Sequence, residues 1–416
     1  MLIKDGFTDT RTPARTDMAP DRAGSPPGAF SRLELDIVTD LANADRAWQD
    51  LGAVAIGTPY QTFGWLKAWA ETIGKRQGVE PVIACGQLAG RVVFILPLGM
   101  ERQAGVRALT FLGHRNGNQN TGFWDPEYYA IADSAHVRAL LEEICARQKA
   151  DLIALNNVPE VWHGRRHPLV LEGATASPSP IFVRDLPADF EDLFRDTHSK
   201  SSRKNLLRKQ RHLQALKGFR IGKAEREDEI REVLAAFFAQ RSRRAAEAGI
   251  PNAFGEVAAQ DFIGRVTGAA GVDVLQEKPP LGLWYLEADG AVRATYLCAE
   301  HGGTIYAYSN SVAHDALLPN SPGLVLVKEI IANACASADL HCLDLGLGEE
   351  RYKSAWAEPV ALKDSFLAAT PRGRMKRSFD LGRSRLKTRV RNSALLWSLV
   401  RRLRKWKAGG SNRPQT

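Results

Sequence analysis

The residues best suited to chemistry lie close together near residue 350. Residues 343–356 read Leu-Asp-Leu-Gly-Leu-Gly-Glu-Glu-Arg-Tyr-Lys-Ser-Ala-Trp, so a carboxylate within an apolar strand is followed by glycines, further carboxylates and a phenol. Carboxylates and phenols can move protons, and α/β proteins collect such groups at the carboxyl ends of their strands. We therefore predict proton transfer by Asp344, Glu349 and Tyr352, and substrate binding by Lys353 and Trp356. Lys353 could instead pair with Glu349, one helical turn earlier.

A second feature, just upstream, is a helix start suited to an anion. Residues 304–311 alternate as a strand does, and Asn-Ser-Pro-Gly at 320–323 then precedes an apolar helical pattern at 324–336. The first N–H groups of a helix lack internal partners, and the helix dipole is positive there. Ser321 is suited to cap the helix, Pro322 to its first position, and Gly323 to close approach of a ligand. The tripeptide alone also fits an ordinary helix start.

Composition limits the class of protein. The chain has 416 residues, of which 44% are hydrophobic and 25% charged, so it is long enough for two domains. Residues 1–29 are rich in Asp, Arg, Thr, Pro and Gly, which indicates a disordered leader and no signal peptide. The five cysteines are scattered among apolar residues. This pattern predicts a reduced, cytoplasmic protein with no disulfide framework and no metal site.

Positive charge is concentrated at the C-terminal end. The chain has a net charge of +9, but residues 371–416 contain 15 basic residues and one acidic residue, and residues 1–370 have a net charge of −5. From 395 to 406, apolar residues recur at helical spacing beside Arg and Lys. Such a helix suits an anionic membrane surface, which would place the protein at the inner face of the membrane. Docking of the helix on the body of the protein is the alternative.

The loop at 113–122 is rich in amides and is followed by two aromatic residues. Amides beside aromatic rings suit the hydroxyl edges and apolar faces of a saccharide. We therefore predict saccharide binding by Asn118, Asn120 and Trp124, although an Asn/Gly-rich loop without function is nearly as consistent with the pattern. A basic helical pattern at 202–216 indicates contact with phosphates or RNA, or an ordinary amphipathic helix between domains.

The two halves of the chain repeat the same pattern of elements. Each has helices, a strand pair joined by a glycine turn, a further strand, a loop, a helix and a strand, with the strand pairs at 80–102 and 282–299. We predict an α/β fold of two tandem units with mixed, mainly antiparallel sheets flanked by helices. The expected domains are 30–185 and 186–370, followed by the basic tail at 371–416.

These motifs together resemble the GNAT-fold acyltransferases. The strand at 304–311, the Ser-Pro-Gly helix start and the segment 344–356 resemble the C-terminal half of that fold, and Pro-Tyr-Gln-Thr-Phe-Gly-Trp at 59–65 extends the likeness upstream. The CelD-like branch, associated with cellulose and exopolysaccharide production, is the most similar one, and the FemABX proteins are more distantly similar.

The resemblance implies a function and further site residues. It implies acetyl transfer from acetyl-CoA to an amine or hydroxyl of a sugar or exopolysaccharide precursor, without a metal. The pantetheine arm would lie along the strand near Ser309 and Asn310, and Tyr308 would protonate the leaving thiolate. The pyrophosphate would lie at Asn320, Ser321, Gly323 and Leu324, although the usual family cradle has more than this one glycine.

Two other functions stay open at this point. One is FemABX-like aminoacyl transfer from charged tRNA, which the basic helix and tail would suit. The other is a non-catalytic, membrane-peripheral component of polysaccharide synthesis. Sequence-specific nucleic-acid binding is disfavoured, because the body of the chain is acidic and its aromatic residues do not interleave with basic ones.

Overall fold

Two large β-sheets flanked by helices carry the fold. The computed structural model describes residues 33–52, 54–269 and 279–392. The predicted leader at 1–29 and the predicted amphipathic segment at 395–406 lie outside these ranges. Among the described residues, no helix is long and apolar enough to cross a membrane.

The elements up to residue 176 supply most of the first sheet. In chain order they are β1 (Leu33–Val38), α1 (Asp45–Leu51), α2 (Phe63–Trp69), α3 (Lys75–Gln77), β2 (Glu80–Leu88), β3 (Arg91–Gln103), β4 (Val106–Phe111), β5 (Phe123–Trp124), α4 (Pro126–Ile131), α5 (Ser134–Gln148), β6 (Leu152–Pro159), β7 (Val161–Trp162), β8 (Arg165–Arg166) and β9 (Thr175–Ala176).

The later elements supply the second sheet and return to the first. They are β10 (Ile181–Asp185), α6 (Phe190–Thr197), α7 (Lys200–Gln214), β11 (Arg220–Ala224), α8 (Glu227–Ala248), α9 (Val257–Thr267), β12 (Gly282–Ala288), β13 (Ala291–His301), β14 (Thr304–Val312), α10 (Pro322–Ala336), β15 (Cys342–Leu347), α11 (Lys353–Trp356), β16 (Glu358–Val360), β17 (Leu362–Ala368) and α12 (Pro371–Asn392).

Both sheets follow the same plan. The first has the order β1-β2-β3-β4-β6-β17-β9, with β5 on β3, and the second has the order β11-β12-β13-β14-β15-β10-β16. Each contains one parallel pair, β4 with β6 and β14 with β15, and the other pairs are antiparallel. The tight turns that join the predicted strand pairs are present, with positive φ at Asp289 and Gly290 in the second sheet. The predicted α/β class with mixed, mainly antiparallel sheets is confirmed.

The two sheets exchange strands. β10 lies within the first predicted domain but pairs with β15 of the second sheet, whereas β17 lies within the second predicted domain but pairs with β6 of the first sheet. The chain therefore crosses between the sheets twice, and no single residue separates them. The domain limits at 30–185 and 186–370 stay a prediction, and the sheets themselves divide differently from these limits at β10 and β17.

One hydrophobic core joins the two halves of the chain. It combines residues of α2 and β2 with residues of α8, α9 and β14, and Trp65 meets the Phe262 ring edge-on at 5.0 Å. A second core lies on the other face of the second sheet, among α6, α7 and α10. The shared core fixes the face of β14 against the first half, and the candidate site lies at this junction.

Candidate functional site

The candidate site begins where β14 and β15 diverge. The two strands pair in parallel only from Thr304 with Cys342 to Tyr306 with Asp344. Beyond that point β14 continues along β13, whereas β15 continues along β10. The pairing of β14 with β13 also shifts by one residue, so Tyr308 has no partner between Ala307 and Ser309. A bulge of this kind leaves backbone groups outside the ladder and re-aims them.

Asp344 lies at the point of divergence and is 1% exposed. Its Oδ1 accepts a hydrogen bond from the Gly346 backbone N–H at 2.6 Å, and its Oδ2 accepts one from Gln119 Nε2 at 2.6 Å. Burial raises the pKa of Asp344 to about 7, and the Gly346 hydrogen bond and the Lys353 charge oppose this rise. A carboxylate with such a pKa can accept and return a proton near neutral pH.

Three tyrosine rings lie together near this carboxylate, whose charge helps to raise the pKa of Tyr60 and of Tyr306. The Tyr60 ring lies 5.9 Å from that of Tyr306 and 6.0 Å from that of Tyr308, and the Tyr60 hydroxyl accepts a hydrogen bond from Asn118 Nδ2 at 2.9 Å. Burial is the largest cause that raises the pKa of Tyr60, Tyr306 and Tyr308 above the usual phenol value. These phenols therefore stay protonated and can act as hydrogen-bond donors.

A second polar group lies further along β14. Tyr352 is hydrogen-bonded to Asn310 Nδ2 at 3.2 Å and to the Tyr296 hydroxyl at 2.9 Å. Arg241 of α8 donates to the Asn310 carbonyl at 3.3 Å. Burial lowers the pKa of Arg241, and the charge of Glu350 opposes this. The group holds the end of β14 in place and adds a cation beside the diverging strands.

The start of α10 lies at the far end of β14. Pro322 opens the helix as predicted, and a Cβ added at Gly323 would lie 2.7 Å from Val312 Cγ2. The prediction that Ser321 caps the helix is wrong. Ser321 has φ +51° and makes no capping hydrogen bond, because its hydroxyl instead accepts from Lys209 Nζ of α7 at 2.7 Å. The helix start thus meets an ammonium group, and no side chain of the described residues caps it.

The equivalent helix starts in the first half are closed by acidic groups. The Asp125 carboxylate accepts from the Tyr128 N–H at the start of α4, and the Asp133 carboxylate accepts from the His136 N–H at the start of α5. A negative side chain at a helix N-terminus takes the place of an anionic ligand. The start of α10 has no such acidic cap. Its Leu324 and Val325 N–H groups donate to the Ser321 carbonyl at 3.0 and 3.2 Å, and Pro322 has no N–H, so the Gly323 N–H is the group that could meet an external anion.

The other predicted site residues fall in different surroundings. Glu349 is exposed, Leu324 is 40% exposed, and Asn320 ends a short 3-10 helix ahead of Ser321. Lys353 is buried and donates to the Leu347 carbonyl at 2.6 Å, so it holds the turn after β15. Asn120 is 1% exposed and donates to the Asn156 carbonyl at 2.9 Å.

The two predicted tryptophans belong to the hydrophobic interior. Trp124 is 0% exposed and packs on Phe94 and Tyr128. Trp356 is 2% exposed and stacks on Phe194. A substrate could reach neither ring without unpacking the interior, so we leave both out of the proposed site.

Four further side chains belong to this region: Tyr60, Gln119, Lys209 and Arg241. The first three lie in segments that the sequence had singled out, namely 59–65, 113–122 and the basic helix, but the sequence gave none of them its partner. Their partners are 58 to 225 residues away, and no local pattern links them. Arg241 had no signal of its own. Among the described residues, no group of three or more His, Cys, Asp or Glu side chains could hold a metal.

Comparisons with known proteins concern the fold of the chain and one segment of it. Residues 200–354 match the family described as an acetyltransferase (GNAT) domain. This segment runs from α7 into α11 and is less than half of the chain, so the match is a likeness of this segment to that family. No curated protein matches the chain by sequence.

Solved structures resemble the chain at low identity. The crystal structure of FemX is 11% identical, with a TM-score of 0.53, and the match covers 80% of this chain and 97% of that one. A conserved protein of unknown function from Bacteroides thetaiotaomicron VPI-5482 is 12% identical, with a TM-score of 0.52, and the match covers 81% of this chain and 100% of that one. At such identities these two structures show a shared fold alone.

Proposed function

We propose that this protein transfers an acetyl group from acetyl-CoA to an amine or hydroxyl group. The observation that carries the proposal is the buried Asp344 carboxylate, which lies where β14 and β15 diverge and has its pKa raised to about 7. The same strand, β14, leads to the uncapped start of α10 beside Lys209. The proposed proton acceptor would lie beside Tyr306 near one end of β14, and the proposed anion site would lie beside Val312 at its other end, within the segment that matches the GNAT domain family.

The coenzyme would lie along β14, with its phosphates at α10. Lys209 and the Gly323 N–H at the start of α10 would hold the pyrophosphate, since the ammonium group and the helix dipole both favour negative charge. Gly323 keeps the backbone accessible, because no side chain projects there. The acyl carbonyl would then lie beside the bulge at Tyr308, where backbone N–H groups near Ser309 and Asn310 can polarise it.

The chemical step needs one base and one acid. The nucleophile attacks the thioester carbonyl carbon, its proton passes to Asp344, and the carbon–sulfur bond breaks to release the coenzyme thiolate. Tyr308 would give the thiolate its proton, and the proton on Asp344 would return to Tyr308 through solvent, so that both side chains regain their starting states. Gln119 covers Asp344, so the acceptor would reach the carboxylate only when the loop at 113–122 moves.

The acceptor we favour is a sugar or an exopolysaccharide precursor. This rests on the resemblance to the CelD-like branch and on Asn118, a half-buried amide beside Tyr60 and Gly346. Aminoacyl transfer from charged tRNA is the second candidate. It is favoured by the shared fold with FemX and by the exposed cations Lys200, Lys204 and Arg208 on α7.

The direct test is binding of acetyl-CoA measured by calorimetry in two charge-reversal variants. Lys209→Glu would place a carboxylate beside the start of α10 and should weaken binding at least tenfold. Lys204→Glu makes the same charge change on an exposed part of the same helix and should leave binding unchanged. These two variants are cleaner than a substitution of Gly323, which would also push against Val312.

The outcomes separate the candidates. Equal weakening in both variants would indicate general attraction by α7 and would refute a site at α10. No binding of acetyl-CoA or free CoA by the wild type would refute the acetyltransferase and turn the search to charged tRNA or to a non-catalytic role.

A further inference from the structure

A separate cavity of about 1060 Å³ lies on one face of the first sheet. Its floor is formed by β4, β6 and β17, and the first turns of α12 cover it. Neither Asp344 nor the start of α10 lines it. Its volume is at the upper end of the range typical of sites for small molecules.

The position of this cavity repeats that of the Asp344 site. In the first sheet, the parallel pairing of β4 with β6 ends at Thr110 with Ala154. In the second sheet, the corresponding pairing ends at Tyr306 with Asp344. Thr110 and Ala154 both line the cavity. The first sheet therefore has space where the second sheet has its buried carboxylate and phenol.

The lining changes from apolar to polar along the strands. At one end the strands contribute Val106, Ala108, Leu152, Ala154 and Phe366. At the other end, towards the carboxyl ends of β4 and β6, it consists of Thr110, His114, Asn156, Asn157 and Asp364. Such an arrangement matches a molecule with an apolar part and a hydrogen-bonding part.

The charges at the rim do not select an anion. Arg115 Nη2 lies 3.3 Å from Glu101 Oε2, and Lys376 Nζ forms an ion pair with Asp380 Oδ2 at 2.5 Å. These two cations are each matched by an acid. The third cation of the lining, Arg372, lies near enough to Asp151 for its charge to lower the pKa of that carboxyl. This favours a head group that carries hydroxyls or amides over a phosphate.

The cover of the cavity is itself apolar and accessible. Met375 and Phe379 of α12 both line the cavity, yet they are 70% and 67% exposed. They lie one helical turn apart and extend the apolar end of the cavity to the surface. A hydrocarbon chain could pass between them and the sheet.

We propose that this cavity binds an amphipathic molecule. Its hydrocarbon part would lie on Leu152, Ala154 and Phe366, beneath Met375, and its uncharged polar head would lie at Asn156 and Asp364. This site needs no coenzyme and no acyl transfer, so it is independent of the function proposed above.

The test uses octyl β-D-glucoside below its critical micelle concentration, with glucose as the head group alone, and isothermal titration calorimetry of the full chain. The wild type should bind octyl glucoside saturably and at least tenfold more tightly than glucose. Ala154→Phe should fill the floor of the cavity and weaken binding at least tenfold. Ala130→Phe, which makes the same change on the exposed face of α4, should not alter binding.

Three results would overturn the proposal: no saturable binding by the wild type, glucose binding as tightly as octyl glucoside, or equal affinities in the two phenylalanine variants. Circular dichroism establishes that each variant is folded. Should Ala154→Phe fail to fold, Asn156→Leu replaces it, because it removes the polar end and leaves the floor intact. Weaker binding by Asn156→Leu supports the site, and unchanged binding refutes it.

Discussion

The raised pKa of Asp344 leads to a prediction about stability that can be worked out in advance. Its folded-state pKa is about 7, against an ordinary value of 3.8. One pKa unit corresponds to ~1.4 kcal/mol, so the ionised carboxylate costs the fold on the order of 4 kcal/mol. The pKa of Asp344 is higher in the folded state than in the unfolded state. Its contribution to the free energy of unfolding is therefore fully present below the unfolded-state pKa and is lost as the pH rises to about 7.

Asp344→Asn removes this titration and keeps the shape of the side chain. The amide oxygen can still accept from Gly346, and the Gln119 amide can rotate to accept from the new NH₂ group. The free energy of unfolding of the wild type, relative to the variant, should fall by about 3 kcal/mol between pH 5 and pH 8. Urea melts of both proteins at each pH measure this difference, and the titrations of other groups largely cancel.

Activity should change with pH in the opposite direction. A general base works in its ionised form, so kcat/KM of the wild type should rise about tenfold per pH unit below pH 7 and level off above it. Asp344→Asn should lower kcat by a factor of about 10²–10⁴. A stability difference that does not vary with pH would refute the buried, high-pKa carboxylate. A pH-dependent difference with unchanged kcat would leave the pKa in place and refute its role as the base.

Three further changes test other parts of the molecule. Gln119→Leu removes a donor to the Asp344 carboxylate, so the pKa of Asp344 should rise further and the inflection of kcat/KM should move to higher pH. Trp356→Ala should reduce the free energy of unfolding by about 3–5 kcal/mol in urea melts, because the ring is buried in the second core. A loss of acceptor affinity without destabilisation would instead place Trp356 in a binding site. Met375→Glu, in the basic first turns of α12, should reduce sedimentation with anionic liposomes. Val257→Glu, at an equally exposed residue of α9, should not. Equal sedimentation of both variants would exclude the start of α12 as a membrane contact.

Local signals in the sequence were sufficient for the elements that carry the site. The Asn-Ser-Pro-Gly segment marked the start of α10, and the strand pairs and their glycine turns were found within a few residues of their observed limits. These signals depend on φ preferences, missing N–H groups and alternation of apolar residues, all of which act over a few positions. The same signals placed Asp344 within a buried strand.

Local signals failed where a side chain had a choice of partners. Ser321 has the residue type of a helix cap, but Lys209 competes for its hydroxyl across 112 residues of chain. Trp124 and Trp356 are of a residue type that often contacts substrates, but both rings are buried in the packed interior. Residue type limits what a side chain can do, and its neighbours decide which of those roles is available.

The class of fold, the repeated order of strands and helices, and the nearness of a carboxylate to an Asn-Ser-Pro-Gly helix start follow from the sequence alone. Only the tertiary structure decided that β10 and β17 change sheets, that Gln119 closes over Asp344 from 225 residues away, and that the first sheet keeps a cavity at the position equivalent to Asp344. The physical reason is the range of the interactions. Turn and helix-start preferences are local, whereas strand pairing and the desolvation that raises the pKa of Asp344 depend on surfaces that meet only after folding.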